Sequence, residues 1–277
     1  MNNIGANTRM TNIEAIYLSG KNLYGDDFDL SQIAEWYKDE KEGYAELGAN
    51  NTTTYQYVYH SLNYQHAFKY IRKIQFNHVL GLGSAYGDEF LAIMPKINQI
   101  TILEPSDAFV QDRVHGVPCK YIKPSLNGTM PFEDSSFDLI TCIGVLHHIP
   151  NVTRVVKEIY RCLTNDGYAL VREPIVSMGD WSKPRQGLTK RERGIPVEIF
   201  RNIIKDTGFK VKRETLCCFP IIPIIYKLIR KPAYNSDVAT WADARLSSLF
   251  KWNIRYHPTK VIHKFRPTSI YFLLTKE

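Results

Sequence analysis

The chain has 277 residues and a formal net charge of +7, with 44% hydrophobic and 23% charged residues. This length suits one large α/β domain with additions, and the composition is that of a globular protein, which excludes disordered and fibrous classes. The sequence shows neither an apolar run long enough to span a bilayer nor a signal-peptide layout. We therefore expect a cytoplasmic protein without a transmembrane segment.

The excess positive charge permits an anionic partner, such as a phosphorylated substrate, a nucleic acid or an anionic membrane surface, without choosing among them. The five cysteines form no C-x-x-C pair, and the sequence shows no His/Cys cluster with metal-ligand spacing. We therefore expect reduced thiols and no metal site.

The first predicted elements are helices. Apolar side chains recur at helical spacing over 30–47 and over 55–76, and a polar break separates the two stretches. From residue 78 onwards strands and helices alternate. This alternation predicts an α/β fold with a doubly wound, seven-stranded and mostly parallel sheet, helices on both faces, a helical N-terminal cap and an insertion before the last strand.

The strands are predicted from short apolar or β-branched runs. They are Val79–Leu82, Ile100–Leu103, Tyr121–Ile122, Phe137–Cys142, Tyr168–Arg172, Phe209–Leu216 and Thr268–Thr275. A short helix over 106–114 is predicted to begin at Ser106 as N-cap, and Asn151 is predicted to cap a later amphipathic helix.

The stretch HVLGLGSAYG, residues 78–87, runs from an apolar strand through a turn of small residues towards a helix start. Such a turn lets backbone N–H groups approach a ligand closely. Glu104 ends the second strand, where an acid can accept hydrogen bonds from ribose hydroxyls. The two features together predict a nucleoside cofactor. The residues assigned to it are Gly81, Gly83, Ser84, Ala85, Gly87, Glu104 and Pro105.

A further segment, MPFEDSSFDLITCIGVLHHIP at 130–150, resembles the class I, Rossmann-like S-adenosylmethionine-dependent methyltransferases. The resemblance covers roughly 79–171 and implies S-adenosylmethionine as cofactor. It also implies cofactor contacts at Ile143 and Gly144. The chain departs from the family's D/E-x-G-x-G-x-G loop, because Gly81 replaces the first acid and Ala85 the middle glycine.

Two other consequences follow from this resemblance. Where the family often carries an adenine-binding Asp, only Ser125 or Asn127 is available here. The implied division is an N-terminal arm and helical cap at 1–76, a cofactor-binding Rossmann-like core at 77–216, an insertion or lid at 217–266 and a final core strand at 267–277.

The stretches YVYHSLN, REPI, GLTKRERGIP and RPTSIYFLLTK also resemble a subgroup of bacterial methyltransferases associated with glycan or polysaccharide biosynthesis. This resemblance implies a small-molecule acceptor, namely a hydroxyl of a sugar or glycan precursor that is phosphorylated or lipid-linked. The oligomeric state is left open.

A hydroxyl acceptor benefits from a general base, and neutral imidazole suits that task near neutral pH. His147 and His148 follow the fourth predicted strand, where the fold places the acceptor. His60 in the cap is the third candidate. The alternative for each is a purely structural histidine.

Substrate contacts are predicted from the tip of the fifth strand and the irregular segment after it. An Arg-rich loop with one Trp suits a phosphate or a sugar ring, and its alternative is a solvated connector. The residues are Glu173, Trp181, Arg185, Arg191 and Arg193. The apolar stretch 217–230 fits a lid, a core segment or a patch that touches a lipid-linked substrate.

Two other functions compete with this interpretation. The positive charge favours a nucleic-acid methyltransferase acting on RNA, but Ile143 to Leu146 stand where amino-directed DNA enzymes carry an N/D-P-P-Y/F motif. The glycine turn followed by an acid also fits an NAD(P)-dependent oxidoreductase. A cofactor-binding protein without catalysis is the fourth possibility.

Overall fold

A computed structural model describes residues 16–46, 56–179, 181 and 185–277. Its centre is one sheet of eight strands. They are β1 (Phe76–Leu82), β2 (Ile97–Leu103), β3 (Arg113–Val114), β4 (Val117–Ile122), β5 (Phe137–Ile143), β6 (Leu163–Pro174), β7 (Lys210–Cys217) and β8 (Ser269–Thr275). The spatial order is β3-β4-β2-β1-β5-β6-β8-β7. The pairs from β4 to β6 are parallel, whereas β3, β7 and β8 pair antiparallel, so the sheet is mixed.

Helices cover both faces of this sheet. They are α1 (Leu30–Glu46), α2 (His60–Asn63), α3 (Lys69–Ile71), α4 (Val152–Cys162), α5 (Val197–Thr207), α6 (Ile221–Leu228) and α7 (Asp237–Leu249). Neighbouring residues of β1 point to opposite faces, as a strand requires. Leu80 and Leu82 pack in the core that α4 and α5 cover, and Val79 packs with Phe90 in the other core.

The N-terminal cap packs against the insertion that precedes β8. The Asn235 side chain accepts a hydrogen bond from the His60 N–H at 2.9 Å and donates one to the Tyr57 carbonyl at 2.9 Å. The rings of Tyr59 and Tyr234 stack at 5.9 Å. Two segments more than 170 residues apart in sequence therefore form one surface over the sheet. None of the helices in the described part of the chain is long and apolar enough to cross a membrane.

The seven predicted strands are all present, but the predicted count of seven is wrong by one. The eighth strand, β3, occupies the end of the region predicted as a helix over 106–114. His115 and Gly116 both have positive φ, which makes a tight hairpin turn that pairs Val114 with Val117. Ser106 does act as an N-cap, accepting from the Ala108 N–H at 3.2 Å, but only for a three-residue 3₁₀ turn.

The predicted helix over 55–76 is shorter in the structure. Its helical residues are 60–71, where a π-helical turn, Tyr64–Phe68, joins α2 to α3. β1 already begins at Phe76, which is buried, and the Asp138 carboxylate accepts from the Asn77 N–H at 2.6 Å and the His78 N–H at 3.2 Å. Residue 55 itself lies outside the described residues.

The cap of α4 comes from Asp26, which is far from the helix in the sequence, and not from the predicted Asn151. Asn151 makes no capping hydrogen bond, because its side-chain amide donates to the Asn127 carbonyl at 2.7 Å. The Asp26 carboxylate accepts instead from the Thr153 N–H at 2.8 Å and the Thr153 hydroxyl at 2.6 Å. An anion at this position also complements the positive end of the helix dipole. The N-terminal segment is thus fixed to the core by a cap.

We predict that Asp26→Ala lowers the free energy of unfolding by about 1–2 kcal/mol, the range that loss of a helix cap gives. Urea unfolding followed by circular dichroism measures the change. Asp27→Ala is the matched control, because Asp27 is exposed and makes only long contacts, 3.4 Å, to the Tyr17 hydroxyl. Equal losses in both variants would contradict the proposed cap.

Candidate active site at the carboxyl edge of the parallel strands

The loop after β1 is shaped by glycines that no larger residue could replace. Gly83 has φ +56°, and a Cβ atom there would lie 2.8 Å from Cγ2 of Val145. Its N–H donates to the Leu103 carbonyl at 2.9 Å, which joins the loop to the end of β2. Gly87 has φ +74°, and a Cβ there would lie 2.8 Å from Cγ1 of Val114. The loop backbone at Gly83 stays exposed and open to close approach.

Glu104 lies across from this loop at the end of β2. Its buried carboxylate accepts from the Ala85 N–H at 3.3 Å and from the Ser106 N–H at 3.0 Å. Burial raises the pKa of Glu104 above its ordinary value, and the two backbone donors oppose that shift. A carboxylate accepts up to about four hydrogen bonds. The two bonds observed leave it capacity for ligand hydroxyls.

A second carboxylate, Glu89, lies beside the loop. Gly81 and Thr141 are register partners on β1 and β5, and the Ser84 side chain fills the space where a Cβ at Gly81 would project. Glu89 accepts from the Thr141 hydroxyl at 3.3 Å. The Ser84 hydroxyl helps to hold down the pKa of Glu89, although its geometry falls short of a regular hydrogen bond to any described residue.

Burial raises the pKa of Glu89 to about 7, because a fully enclosed carboxylate loses its hydration. The sequence analysis did not select this residue. The sequence does contain a signal for Glu89, because it is an acid directly before Phe90 in the first turn after the glycine loop. In the structure it lies on the buried side of a 3₁₀ helix, Asp88–Lys96. Glu89 is thus a buried acid close to the loop in which Gly81 replaces the usual acid of the related family.

The other predicted cofactor residues lie at the same edge of the sheet. Pro105 follows β2, and its carbonyl accepts from the Lys123 ammonium at 2.9 Å. Ser125 and Asn127 are exposed in the loop after β4. Ile143 ends β5, and Gly144 donates to the Arg172 carbonyl at 2.7 Å. The structure thus brings these residues to the same edge, and their contacts with a cofactor remain predictions.

His147 and His148 lie in the loop between β5 and α4, with ring centroids 4.0 Å apart. Nδ1 of His147 lies 2.7 Å from Glu173, and Nδ1 of His148 lies 3.1 Å from Glu40. Both Nε2 atoms face Glu192. Burial and the neighbouring His147 lower the pKa of His148. A base role for either ring therefore requires one of these contacts to open.

Arg193 has a structural role that differs from the predicted substrate contact. It is completely buried, and its guanidinium lies 5.0 Å from the centre of the Trp36 ring. The group donates to five backbone carbonyls at 2.8–3.2 Å, those of Tyr24, Leu146, His147, Ile149 and Pro150. Because its donors are occupied by the protein, Arg193 fixes the loop between β5 and α4.

The other predicted arginines are also bonded within the protein, and their substrate contacts stay predictions. Arg185 donates to the carbonyls of Met178, Thr189, Lys190 and Glu192. Arg191 pairs with Asp39 and Glu35 on α1. Both side chains therefore hold the segment after β6 in place.

Glu173 is also occupied by the protein. It is 0% exposed and accepts at 2.8 Å from the N–H groups of Val145 and Leu146, in addition to His147. It neither faces an open substrate position nor pairs with Arg172, whose guanidinium lies 4.0 Å from the Tyr59 ring centre instead.

The two remaining predicted residues are Trp181, a predicted substrate contact, and His60, a candidate base. Trp181 is half-buried, donates to the Ser177 carbonyl at 2.7 Å and packs 5.4 Å from the Tyr24 ring. His60 is half-buried in α2, with its ring 4.9 Å from that of Tyr57. Aromatic rings of this kind suit a sugar ring. Their roles stay predictions.

Comparison with known proteins supports the predicted class. Residues 80–171, about a third of the chain, match the family model described as a methyltransferase domain, Methyltransf_11. The match contains the glycine loop, Glu104 and the His147–His148 pair. It confirms the predicted methyltransferase domain and, with it, S-adenosylmethionine as the cofactor. It gives no support to the oxidoreductase alternative.

Curated relatives match the same part of the chain. An uncharacterised methyltransferase of Bacillus subtilis, YcgJ, is 31% identical over 100 residues, which are 34% of this chain and 39% of that protein. A sterol 4-C-methyltransferase of Caenorhabditis elegans is 32% identical over 114 residues, 38% of this chain and 33% of that protein. The chain therefore spans well under half the length of either relative.

The fold has a wider match among solved structures. The crystal structure of a protein of Bacillus halodurans assigned as a methyltransferase aligns with a TM-score of 0.51 and 18% identity. The alignment covers 76% of this chain and 96% of that one. This similarity confirms the Rossmann-like methyltransferase fold.

We predict that Ala85→Gly raises the free energy of unfolding by about 1 kcal/mol, because Ala85 has φ +47° and the left-handed region costs a residue with a Cβ about 1–2 kcal/mol. Urea unfolding measures the change. Ala108→Gly is the control, since Ala108 is exposed and does not share this conformation, so glycine there should destabilise. Equal destabilisation by both changes would contradict the strain argument.

Proposed function

We propose that the protein is an S-adenosylmethionine-dependent methyltransferase that methylates a hydroxyl of a sugar or glycan precursor carried on a lipid. The main support for the cofactor is the pair of buried carboxylates, Glu104 and Glu89, beside the loop 83–87. The acceptor half rests on the exposed face of the insertion.

Glu104 is proposed to bind the two ribose hydroxyls of the cofactor. It stands at the end of β2, and its bonds to the Ala85 and Ser106 N–H groups fix the orientation of both oxygens. The same bond to Ala85 joins the carboxylate to the loop whose backbone would approach the ligand. One residue thus supports both the loop shape and the proposed contact.

Glu89 is proposed to bind the ammonium group of the cofactor's methionine portion. An enclosed carboxylate with a pKa near 7 is costly to ionise alone, and a cation beside it removes that cost. Thr141 and Ser84 fix its position above Gly81, where the related family carries its own acid. The negative charge is therefore retained although it comes from a different position in the chain.

The bound cofactor supplies an activated methyl group, and the protein supplies alignment and exclusion of water. The loop 83–87 packs on Val145, which fixes the cofactor loop against the loop that carries His147 and His148. His147, His148 and His60 remain the candidates for accepting the hydroxyl proton of the acceptor. The proton would pass from the acceptor oxygen to a ring nitrogen as the methyl group is transferred.

The insertion supports a lipid-linked acceptor. Helix α6 exposes four large apolar side chains at i, i+3, i+4 and i+7 spacing, which places them on one face. They are Ile221, Ile224, Ile225 and Leu228, with Leu228 81% exposed. The exposed cations Lys227, Arg230 and Lys231 lie beside this face. Apolar side chains next to cations suit an anionic lipid surface.

We predict that two carboxamide substitutions separate the two parts of the cofactor. Calorimetry with S-adenosylhomocysteine and with methylthioadenosine, which lacks the amino-acid portion, measures both. Glu104→Gln should weaken both ligands about tenfold or more, because the ribose is common to them. Glu89→Gln should weaken only S-adenosylhomocysteine, about 10–100-fold, as expected for the loss of one charged hydrogen bond.

The pH dependence provides an independent check on Glu89. Its carboxylate is ionised above its pKa, so the affinity for S-adenosylhomocysteine should rise from about pH 6 to about pH 8 and then level off. Methylthioadenosine should show no such change. If neither ligand binds, the proposed function is wrong; if Glu89→Gln weakens both equally, only the role of Glu89 is wrong.

We also predict that the protein binds vesicles containing phosphatidylglycerol at low salt and not vesicles of phosphatidylcholine alone. Flotation assays measure the bound fraction. A Leu228→Ser and Ile224→Ser double variant should lose most of this binding, because it removes two contacts from the apolar face of α6. Val110→Ser is the control, since Val110 is 55% exposed but lies outside the insertion. Binding that persists unchanged in the double variant would reject a lipid surface for α6.

A further inference from the structure

Three side chains converge in the loop region between β5 and α4 in a manner that a methyl-transfer role does not require. Nε2 of His148 lies 3.3 Å and Nε2 of His147 3.6 Å from Oε1 of Glu192. The three atoms all lie within 4.8 Å of one another. We propose that His147, His148 and Glu192 bind a divalent transition-metal ion of the zinc type. This proposal does not rest on the identity of the acceptor, and it leaves His60 as the candidate base, because the Nε2 atoms of His147 and His148 would bind the metal.

The distances suit metal ligands better than hydrogen bonds. A hydrogen bond from a ring N–H to a carboxylate is normally about 2.7–3.2 Å long. A tetrahedral zinc ion with bonds of about 2.0–2.2 Å separates its ligand atoms by about 3.3–3.6 Å. Both distances to Glu192 fall in the second range. The two distances to Glu192 are therefore those expected along two edges of a coordination tetrahedron, and all three ligand atoms lie within 4.8 Å of one another.

The outer nitrogens of both rings fix the tautomers in the form that a metal needs. A carboxylate only accepts hydrogen bonds, so Nδ1 of His147 donates to Glu173 at 2.7 Å and Nδ1 of His148 donates to Glu40 at 3.1 Å. If Nδ1 carries the proton of a neutral ring, the Nε2 lone pair of that ring lies on the side of Glu192. A cation between these three atoms would offset the repulsion between the two nitrogen lone pairs and the carboxylate oxygen.

The surroundings hold all of these groups in position. Glu192 accepts from the Thr189 N–H at 2.6 Å through its other oxygen, and Glu40 accepts from the Thr189 hydroxyl at 2.6 Å. Glu173 is held by the N–H groups of the loop. Carboxylates behind metal-binding histidines are a regular feature of zinc sites, where they orient the ring and raise its basicity. Here both histidines have one.

The site is enclosed without being sealed. The side chains of Glu192, His147 and His148 are 8%, 12% and 19% exposed. Three protein ligands with partial access leave a fourth position for water or a ligand oxygen, which is the arrangement of open zinc sites rather than closed structural ones. Imidazole with one carboxylate favours zinc, iron and related ions over magnesium or calcium.

The experiment uses the full chain, freed of metal by dialysis against a chelator and titrated with Zn²⁺ in a calorimeter. We expect one Zn²⁺ per chain with a sub-micromolar dissociation constant. Co²⁺ at the same site should give the strong visible absorption of a four-coordinate complex. His148→Gln should weaken Zn²⁺ binding at least about a hundredfold. Glu40→Gln, which keeps all three ligands, should weaken it about 10–100-fold.

His115→Gln is the matched control, because His115 also pairs with a carboxylate, Asp88 at 2.8 Å, but lies on the surface away from this cluster. It should leave Zn²⁺ binding unchanged. Circular dichroism establishes whether each variant is folded. If His148→Gln does not fold, Glu40→Gln still decides the test. Absence of stoichiometric Zn²⁺ binding by the wild type, or equal losses in His115→Gln and Glu40→Gln, would overturn the proposal.

Discussion

The buried guanidinium of Arg193 organises the region on which the candidate site depends. Its bonds to five carbonyls join the loop between β5 and α4 to the N-terminal segment, and its flat face packs beside Trp36. The indole of Trp36 in turn donates to the His148 carbonyl at 2.8 Å. A delocalised cation with five donors can satisfy many carbonyls that would otherwise be buried without partners. The loop is consequently held by its backbone, which leaves the His147 and His148 rings to serve another purpose.

Negative charge at the carboxyl edge of the sheet is the second organising constraint. Glu89, Glu104 and Glu173 are each buried there; loop N–H groups donate to Glu104 and Glu173, and the Thr141 hydroxyl of β5 donates to Glu89. A buried carboxylate is tolerated when donors or cations compensate for its lost hydration. The N–H groups that fix Glu173 come from the loop itself, whereas Glu89 has the Thr141 hydroxyl, the nearby Ser84 hydroxyl and its own backbone N–H beside it. Glu89 therefore has fewer donors than Glu173. This difference fits the proposed binding of a cationic group by Glu89, whereas Glu173 fixes a loop.

The sequence predicts the sheet well because strand patterns are local. All seven predicted strands and the glycine loop are present, since each depends on neighbouring residues. The sequence analysis misses the edge hairpin because its first strand, Arg113–Val114, falls within the helix predicted over 106–114. Contacts between distant segments are not encoded in any local pattern. Asp26 caps a helix 127 residues away, and Glu40 pairs with His148 across 108 residues. The structural role of Arg193, whose partners lie 43–169 residues away, could not be predicted for the same reason. Arg185 contacts carbonyls only four to seven residues away, but they lie in an irregular segment that has no regular pattern to read.

The two candidate sites share one point of contact. Val145 fills the space beside Gly83, and two residues later the same loop carries His147. Cores of folded proteins are close-packed, so a shift of the loop on one side must be accommodated on the other. A metal ion bound to His147 and His148 would restrict the loop on which the cofactor turn rests. Occupancy of the proposed metal site would therefore bear on the shape of the proposed cofactor site through the packing of Val145 against Gly83.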